Sequence, residues 1–563
     1  GAFPVDEQGR WRWTVEAWTD ALASWRDEVR RKVDAGQPDL SGELSEGLLL
    51  LRAAAERAEG SDRATIERAL AVLADESAPA RARAQAALGA DVAEAADRHP
   101  DRGDATALAE PVPLEVQRER ARFGSWYELF PRSWGGLRGV RAQIPRLAEL
   151  GFDVLYLPPI HPIGRTNRKG RNNALVAAPG DPGSPWAIGG PEGGHTAVHP
   201  ELGTLEDLDA LVAAGEEHGV EICLDFAIQC SADHPWLTEH PEWFHRRPDG
   251  TLKFAENPPK KYQDIYNVNW DSEDWEGLWQ ALLDVVRFWV GHGVRVFRVD
   301  NPHTKPLSFW EWLIREVRAE APDVLFLAEA FTRRPMMNAL AKLGFDQSYT
   351  YFTWRHTRHE LERYLTELTT SGEERFFRPN FFVNTPDILT AELAEGGPAK
   401  FHSRLVLAAT LGPSYGVYSG FEHFEGVPER PGSEEYLDSE KYEVKARALD
   451  GPLLPRIQRL NEARRANPAL QRLEVTFLDT ENDALIAYAK RARGNVVICV
   501  VTLDPHDAQE GAVHVPPELG LAPVFSVADE LQPGAWYQWR LGRNYVRLEP
   551  GERGAHVLRV LEP

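Results

Sequence analysis

Three carboxylic acids stand at or shortly after the ends of apolar runs that are typical of β-strands. Asp300 and Glu329 each directly follow such a run, and Asp387 comes a few residues after a third. Retaining cleavage of a glycosidic bond needs one carboxylate that attacks the anomeric carbon and one carboxylic acid that protonates the leaving oxygen, roughly 5 to 5.5 Å apart. We therefore predict Asp300 as the nucleophile, Glu329 as the acid/base, and Asp387 as a group that binds sugar hydroxyls and stabilises the transition state.

The neighbours of these acids support the same chemistry. Arg298 lies two residues before Asp300, so on a strand both side chains point to one face, where the guanidinium would keep Asp300 ionised. Glu329 follows the apolar stretch 324–327, and burial there would raise its pKa. The alternative is that each acid caps the next helix or turn, which is the better interpretation for a single strand-end aspartate. Three acids in corresponding positions favour the catalytic interpretation.

A closed barrel would position the three acids on one face. Asp300 and Glu329 lie about one strand-plus-helix unit apart, and Glu329 and Asp387 lie about two units apart, if each unit takes roughly 30 residues. Amphipathic helices separate most of the strands, and Thr204 and Asp207 form a predicted capping box at the start of one of them. No glycine-rich phosphate turn follows the first strand, which favours a barrel over an open doubly wound sheet. The candidate strands are residues 126–130, 154–157, 222–226, 294–299, 324–328, 348–352, 381–383 and 416–419.

The predicted fold class is α/β, a (β/α)8 TIM barrel with an N-terminal helical domain and a C-terminal antiparallel β-sandwich. Residues 19–115 show helical spacing of Ala and Leu, and residues 462–563 show short alternating strands. The barrel is predicted for 116–461, with an inserted loop subdomain at about 229–271 that is rich in proline and aromatic residues. Long loops of this kind on a barrel usually serve function.

Composition narrows the possible partners and surroundings. The 63 basic and 86 acidic residues give a formal charge of −23, which disfavours nucleic acid and anionic membranes as partners. The three cysteines lack the spacing of a metal site or a disulfide scaffold, and no apolar stretch has the length of a signal or membrane segment. We therefore expect a cytoplasmic protein without a metal or another cofactor.

The sequence resembles the α-amylase superfamily at Arg298-Val299-Asp300, Glu329 and Asp387. More narrowly, it is similar to bacterial α-1,4-glucan:maltose-1-phosphate maltosyltransferases from about Gly9 to the C-terminus. Amylases carry Asn-His after the aspartate of the third strand and His before the acid of the seventh, where this chain has Gln229-Cys230 and Pro386. These differences disfavour a plain hydrolase. The narrower resemblance rests on residues 156–164 (YLPPIHPIG), 168–173 (RKGRNN), 183–195 (GSPWAIGGPEGGH), 256–264 (ENPPKKYQD) and 433–442 (SEEYLDSEKY).

The resemblance implies retaining transfer of maltosyl units from α-maltose 1-phosphate to the non-reducing end of α-1,4-glucans. Lysines, amides and a phenol can bind a phosphate dianion through charge-assisted hydrogen bonds. An α-glucan hydrolase of the amylase superfamily is the alternative, and a non-catalytic glucan-binding protein is a third interpretation. The substrate-binding residues that the resemblance implies are Lys169, Gln229, Asn257, Lys260, Tyr262, Arg298, Asn301 and Lys441.

The N-terminal region departs from the family pattern. Family members begin with a β-sandwich, whereas residues 3–5, which resemble its opening, here almost directly precede residues 11–18, which resemble its last strand. Residues 1–18 are therefore predicted to be a remnant of that domain, either after a deletion or because part of the sequence is omitted. The resemblance also implies a homodimer, and loss of the sandwich would remove part of its interface.

Overall fold

The computed structural model describes residues 3–257 and 260–561, and the chain divides into two compact units, Gly1–Val116 and Gln117–Pro563. The first unit is mostly helical, as its Ala-rich and Leu-rich sequence predicts. Asp20 caps the first helix by accepting a hydrogen bond from the Ala23 amide. The elements of this unit are β1 Gly9–Trp13, β2 Glu16–Ala17, α1 Ala21–Asp34, α2 Ser41–Arg57, α3 Gly60–Ala74, α4 Ala80–Ala87, α5 Ala90–Asp97, β3 Thr106–Ala107 and β4 Val112–Val116.

The helices of the first unit pack around buried leucine, isoleucine and alanine side chains. Leu51, Ile66 and Leu73 are fully buried at helical spacing on α2 and α3. Gly47 permits the indole of Trp25 to lie against α2, since a Cβ at Gly47 would come within 2.1 Å of that ring. Strand β1 pairs with β4, and β2 pairs with β3, both antiparallel.

The second unit begins with alternating strands and helices. Its strands up to residue 418 are β5 Gly124–Glu128, β6 Val154–Leu157, β7 Glu221–Phe226, β8 Phe254–Asn257, β9 Lys260–Tyr266, β10 Val296–Val299, β11 Leu325–Ala328, β12 Gln347–Tyr349, β13 Pro379–Phe382 and β14 Ser414–Tyr418. The helices are α6 Gly136–Glu149, α7 Leu205–His218, α8 Trp236–Glu239, α9 Trp275–Gly291, α10 Leu307–Glu320, α11 Arg334–Leu343, α12 Arg358–Thr370, α13 Ala391–Leu411 and α14 Leu454–Ala466.

Within the described residues, eight parallel strands close into a barrel in the order β10, β11, β12, β13, β14, β5, β6 and β7. This confirms the predicted TIM barrel and the eight strands expected from the sequence, with ends that shift by a few residues. Strands β8 and β9 lie outside the barrel as an antiparallel pair within the long loop after β7. The capping box at α7 is also confirmed, since Thr204 and Asp207 exchange hydrogen bonds.

The period-two pattern of the strands determines which side chains enter the barrel. Val296, Leu325, Leu327 and Cys223 belong to one buried cluster inside it. Arg298 continues the row that Val296 begins, while alternate residues such as Phe297 and Phe326 pack in the outer layer towards the helices. Continuing these rows to the carboxyl ends of the strands brings the acids after β10 and β11 to the mouth of the barrel.

The end of the chain forms an antiparallel β-domain, as predicted. In the part of the chain that the structure describes, its eight strands form one sheet in the order β20, β19, β22, β17, β16, β15, β18 and β21. The alternating pattern of the sequence predicts strands at 475–478, 485–488, 496–501, 513–515, 545–548 and 556–560, and it missed β19 and β20. The strands are β15 Thr476–Thr480, β16 Leu485–Ala492, β17 Asn495–Thr502, β18 Gln509–Val515, β19 Val524–Asp529, β20 Trp536–Arg540, β21 Gly542–Leu548 and β22 Ala555–Val560.

No helix within residues 3–257 and 260–561 combines the length and the apolar character needed to cross a membrane.

Candidate active site

A single guanidinium joins the acids at the mouth of the barrel. Nη1 of Arg298 donates to Oδ2 of Asp225 at 2.8 Å and to Oδ1 of Asp300 at 3.0 Å, while Nη2 lies 2.7 Å from Oε1 of Glu329. Arg298 pairs in register with Asp225 on β7 and with Leu327 on β11. One guanidinium therefore brings the carboxylates of Asp300 and Glu329 close to each other, and a retaining mechanism uses such a neighbouring pair.

Burial and neighbouring charges shift the pKa values of Glu329, Asp225 and Arg298. Burial raises the pKa of Glu329 well above its ordinary value, and the nearby Asp300 adds to the shift although Arg298 opposes it. This is the direction that the sequence predicts for an acid/base group. Burial likewise raises the pKa of Asp225 to about 6, against the influence of Arg298. Burial opposes the charge of Arg298 itself, but Asp225 and Glu329 outweigh it and raise its pKa.

The turn after β10 adds a second layer of contacts to the two acids. Asn301 adopts a left-handed backbone with φ of 42°, and its amide donates to Oε2 of Glu329 at 3.3 Å. Nζ of Lys305 donates to the main-chain oxygens of Asp300 and Asn301, both at 3.0 Å. In one orientation of the Gln229 amide, both of its polar atoms form hydrogen bonds. Its nitrogen donates to Oδ2 of Asp300 at 3.3 Å, and its oxygen accepts from Lys305 at 3.2 Å.

Asp387 lies in a cluster beside the 433–442 loop, and its charge also contributes to the raised pKa of Glu329. Lys441 forms an ion pair with Asp387 and lies 2.8 Å from Oε2 of Glu435. The side chain of Lys441 is 7% exposed, whereas that of Asp387 is 39% exposed and thus accessible to a ligand. Burial raises the pKa of Tyr262, and the neighbouring Asp387 adds to that shift, so Tyr262 belongs to this cluster.

Lys169 brings a further buried cation to the same cluster. Its Nζ donates to Oε1 of Gln263 at 2.5 Å, and burial lowers the pKa of this lysine although Asp264 opposes the shift. Asp264 interacts electrostatically with both Lys169 and Lys441, which shows that the two cations share one neighbourhood. Asn257 and Lys260, which were also expected to contact the donor, have side chains that lie outside the described part of the structure.

Sequence reasoning left several members of the site out of the predicted set. Asp225 is fully buried and accepts hydrogen bonds from Tyr156 at 2.6 Å and Trp186 at 3.1 Å. Asp225 stands at the position of the third-strand aspartate of the amylase pattern, and this resemblance was the signal that could have found it. Lys305 and the buried Glu128 at the end of β5 gave no such signal, because their roles depend on tertiary packing.

Comparisons with solved structures agree with the barrel fold. An α-amylase from Lactobacillus plantarum superposes with a TM-score of 0.59 at 23% identity, covering 78% of this chain and 100% of the amylase. The α-amylase from Geobacillus thermoleovorans gives a TM-score of 0.61 at 16% identity, covering 80% and 100%. The fold is therefore a barrel of the kind found in α-amylases.

Sequence comparisons place the chain more narrowly. Family models match for the alpha-1,4-glucan:maltose-1-phosphate maltosyltransferase domain N/S at residues 1–118, the alpha amylase catalytic domain at 124–306, and the domain described as GLGE, C-terminal at 477–560. The alpha-1,4-glucan:maltose-1-phosphate maltosyltransferase 1 of Streptomyces coelicolor is 53% identical over 99% of this chain and 84% of its own length. The alpha-1,4-glucan:maltose-1-phosphate maltosyltransferase of Mycobacterium tuberculosis is 48% identical over 100% of this chain and 82% of its own length. The chain belongs to the α-1,4-glucan:maltose-1-phosphate maltosyltransferase family.

Proposed function

We propose that this protein transfers maltosyl units from α-maltose 1-phosphate to the non-reducing end of α-1,4-glucans and releases inorganic phosphate. The observation that carries the proposal is the Arg298 guanidinium, which holds Asp300 at 3.0 Å and Glu329 at 2.7 Å in a chain of this family. The two acids are assigned the roles of nucleophile and acid/base, and Asp387 is assigned the stabilisation of the transition state.

The first step forms a covalent intermediate. An oxygen of Asp300 bonds to the anomeric carbon of the donor while the bond from that carbon to the phosphate oxygen breaks, and phosphate leaves with the electron pair. The raised pKa of Glu329 favours its protonated form, which gives the proton to the departing phosphate oxygen and becomes a carboxylate. Phosphate is a good leaving group, so the proton of Glu329 matters less in this step than in the next.

The second step lengthens the glucan by two glucoses. The 4-hydroxyl oxygen of the acceptor bonds to the anomeric carbon, the ester bond to Asp300 breaks, and the carboxylate of Glu329 takes the hydroxyl proton. The same ester could react with water, which would give maltose instead of a longer glucan. Binding of the acceptor must therefore compete with hydrolysis.

The cluster around Lys441 is assigned to the donor. Lys169 and Lys441 are buried cations in a protein with a formal charge of −23, and a phosphate dianion gives such cations charge-assisted hydrogen bonds. Tyr262 supplies a phenol beside Asp387. Gln229, Arg298 and Asn301 are assigned to substrate binding near the nucleophile. The family resemblance adds Asn257 and Lys260 to the assigned set.

We also propose that the protein is a cytoplasmic homodimer. All three cysteines are buried free thiols, which fits a reducing compartment.

The first unit exposes Trp13, Val15, Leu108 and Val112, which is apolar surface suited to the interface of a dimer. We assign residues 1–18 to a remnant of an N-terminal β-sandwich that would contribute to this interface. Light scattering of the purified protein should give twice the mass of the chain.

The test of the function is incubation with α-maltose 1-phosphate, with and without maltohexaose, while inorganic phosphate and oligosaccharide length are followed. We expect phosphate release that depends on maltohexaose, and products that grow in steps of two glucoses. Phosphate release together with free maltose, independent of acceptor, would indicate a hydrolase. Binding of glucan without any turnover would indicate a non-catalytic glucan-binding protein.

A further inference from the structure

The C-terminal β-domain carries an open seam between the two edges of its sheet. Strand β20 pairs with β19 and strand β21 pairs with β18, and within the described residues these two strands do not pair with each other. A cavity of about 360 Å³ lies at these edges. Its lining residues come from β20, β21, β22 and two adjoining turns, and none of them belongs to the candidate active site.

Aromatic side chains are concentrated at this seam. Tyr537 and Tyr545 line the cavity with 36% and 60% of their surfaces exposed, and the buried Trp539 of β20 lines it with them. Large aromatic side chains are usually buried, and clustered exposure of this kind marks a binding surface. The tyrosines are also held in position: Tyr537 packs edge-on against His556 at 5.6 Å between ring centroids, and the Tyr545 hydroxyl donates to Glu510 at 2.7 Å.

The cavity is lined by charged groups of both signs, Arg547, Arg553 and Glu549. Arg553 lies 3.5 Å from Glu549, and His556 lies 2.7 Å from Asp529. Gln532 contributes an amide to the lining. Donors and acceptors of mixed sign around exposed aromatic rings suit a neutral ligand with many hydroxyl groups, whose apolar C–H faces can pack on the rings.

We propose that this seam is a docking site for the α-1,4-glucan polymer, distinct from the active site. Glucose rings of the chain pack on Tyr537 and Tyr545, and their hydroxyls bond to the polar groups around them. The inference rests on the proposed function, which supplies the polymer as substrate. Docking raises the local concentration of chain ends near the enzyme, so it favours long acceptors over short ones.

The test compares the Tyr537→Ala/Tyr545→Ala double variant with the Tyr537→Phe/Tyr545→Phe double variant, which keeps both rings. Retention of each protein by glycogen in a native gel is measured, together with KM for glycogen and for maltohexaose. The alanine variant should lose glycogen affinity by roughly tenfold and show a correspondingly higher KM for glycogen. Its kinetics with maltohexaose should match the wild type, and the phenylalanine variant should retain glycogen binding.

Unchanged retention of the alanine variant by glycogen would overturn the docking site, as would an equal rise of KM for both acceptors. A change in oligomeric state with unchanged glycogen retention would show that the seam binds a second copy of the chain instead. Failure of the proposed function would give a different result from failure of the docking site, because the wild-type protein itself would then release no phosphate in the presence of maltohexaose. The glycogen gel would still report on the seam in that case.

Discussion

At the scale of single residues, one arginine organises the chemistry. Arg298 contacts Asp225, Asp300 and Glu329 through two nitrogens of a planar guanidinium. The sequence predicted its contact with Asp300 from their spacing on one strand. The contacts with Asp225 and Glu329 depend on the register of three neighbouring strands, which no local pattern encodes.

Arg298→Lys should therefore be severely impaired. A lysine is a compact point charge that cannot bridge several carboxylates with a fixed fork, so we expect kcat to fall by at least about 100-fold. Steady-state phosphate release with maltohexaose measures this. Arg295→Lys is the matched control, because Arg295 pairs with the half-exposed Asp323 at 3.1 Å and should keep most of its activity. Equal activities of the two variants would contradict the role of Arg298.

A pH dependence should follow from Lys305. Burial lowers the pKa of Lys305 to about 8, so this side chain is charged below that pH and loses its proton as the pH rises. The loss removes a positive charge near Asp300 and Glu329, and kcat should decline as the pH passes about 8. In Lys305→Arg the decline should move to higher pH, since a guanidinium keeps its proton. Profiles of kcat between about pH 6 and pH 10 test this, and an unshifted midpoint would speak against it.

At the scale of elements, the sequence predicted the barrel strands well because their buried apolar runs are separated by clear helical patterns. It missed β19 and β20 in the C-terminal domain. Strand β20 has exposed side chains at four of its five described positions, so it lacks the alternation that marks a half-buried strand. The long loop after β7 was predicted as functional, and it contributes Tyr262 to the cluster at Asp387.

The 433–442 loop should determine donor affinity through Lys441. Lys441→Met removes the buried cation beside Asp387 and Glu435, and we expect KM for α-maltose 1-phosphate to rise about tenfold or more while KM for maltohexaose changes little. Lys445→Met is the control, since Lys445 on the same stretch pairs with Glu425 at 3.2 Å. Similar donor KM values for the two variants would remove Lys441 from the donor site.

At the scale of the whole molecule, the acidic composition of the chain contrasts with the buried cations at its candidate site. The chain has a formal charge of −23, yet its candidate site contains the buried cations Lys169, Arg298, Lys305 and Lys441. Composition alone disfavoured polyanionic partners but did not reveal these buried cations, because burial of individual lysines depends on the tertiary fold. The family resemblance supplied a phosphate-bearing donor for which such cations are useful.

The central claim is that Asp300 carries the maltosyl group between donor and acceptor. The most direct measurement is the mass of intact Glu329→Ala protein after incubation with α-maltose 1-phosphate, followed by peptide mapping and by addition of maltohexaose. We predict that the protein gains the mass of one maltosyl group on Asp300, because loss of the base slows the second step more than the first. Maltohexaose should then remove the group slowly and become two glucoses longer. Phosphate release without any adduct, or an adduct on another residue, would contradict the account.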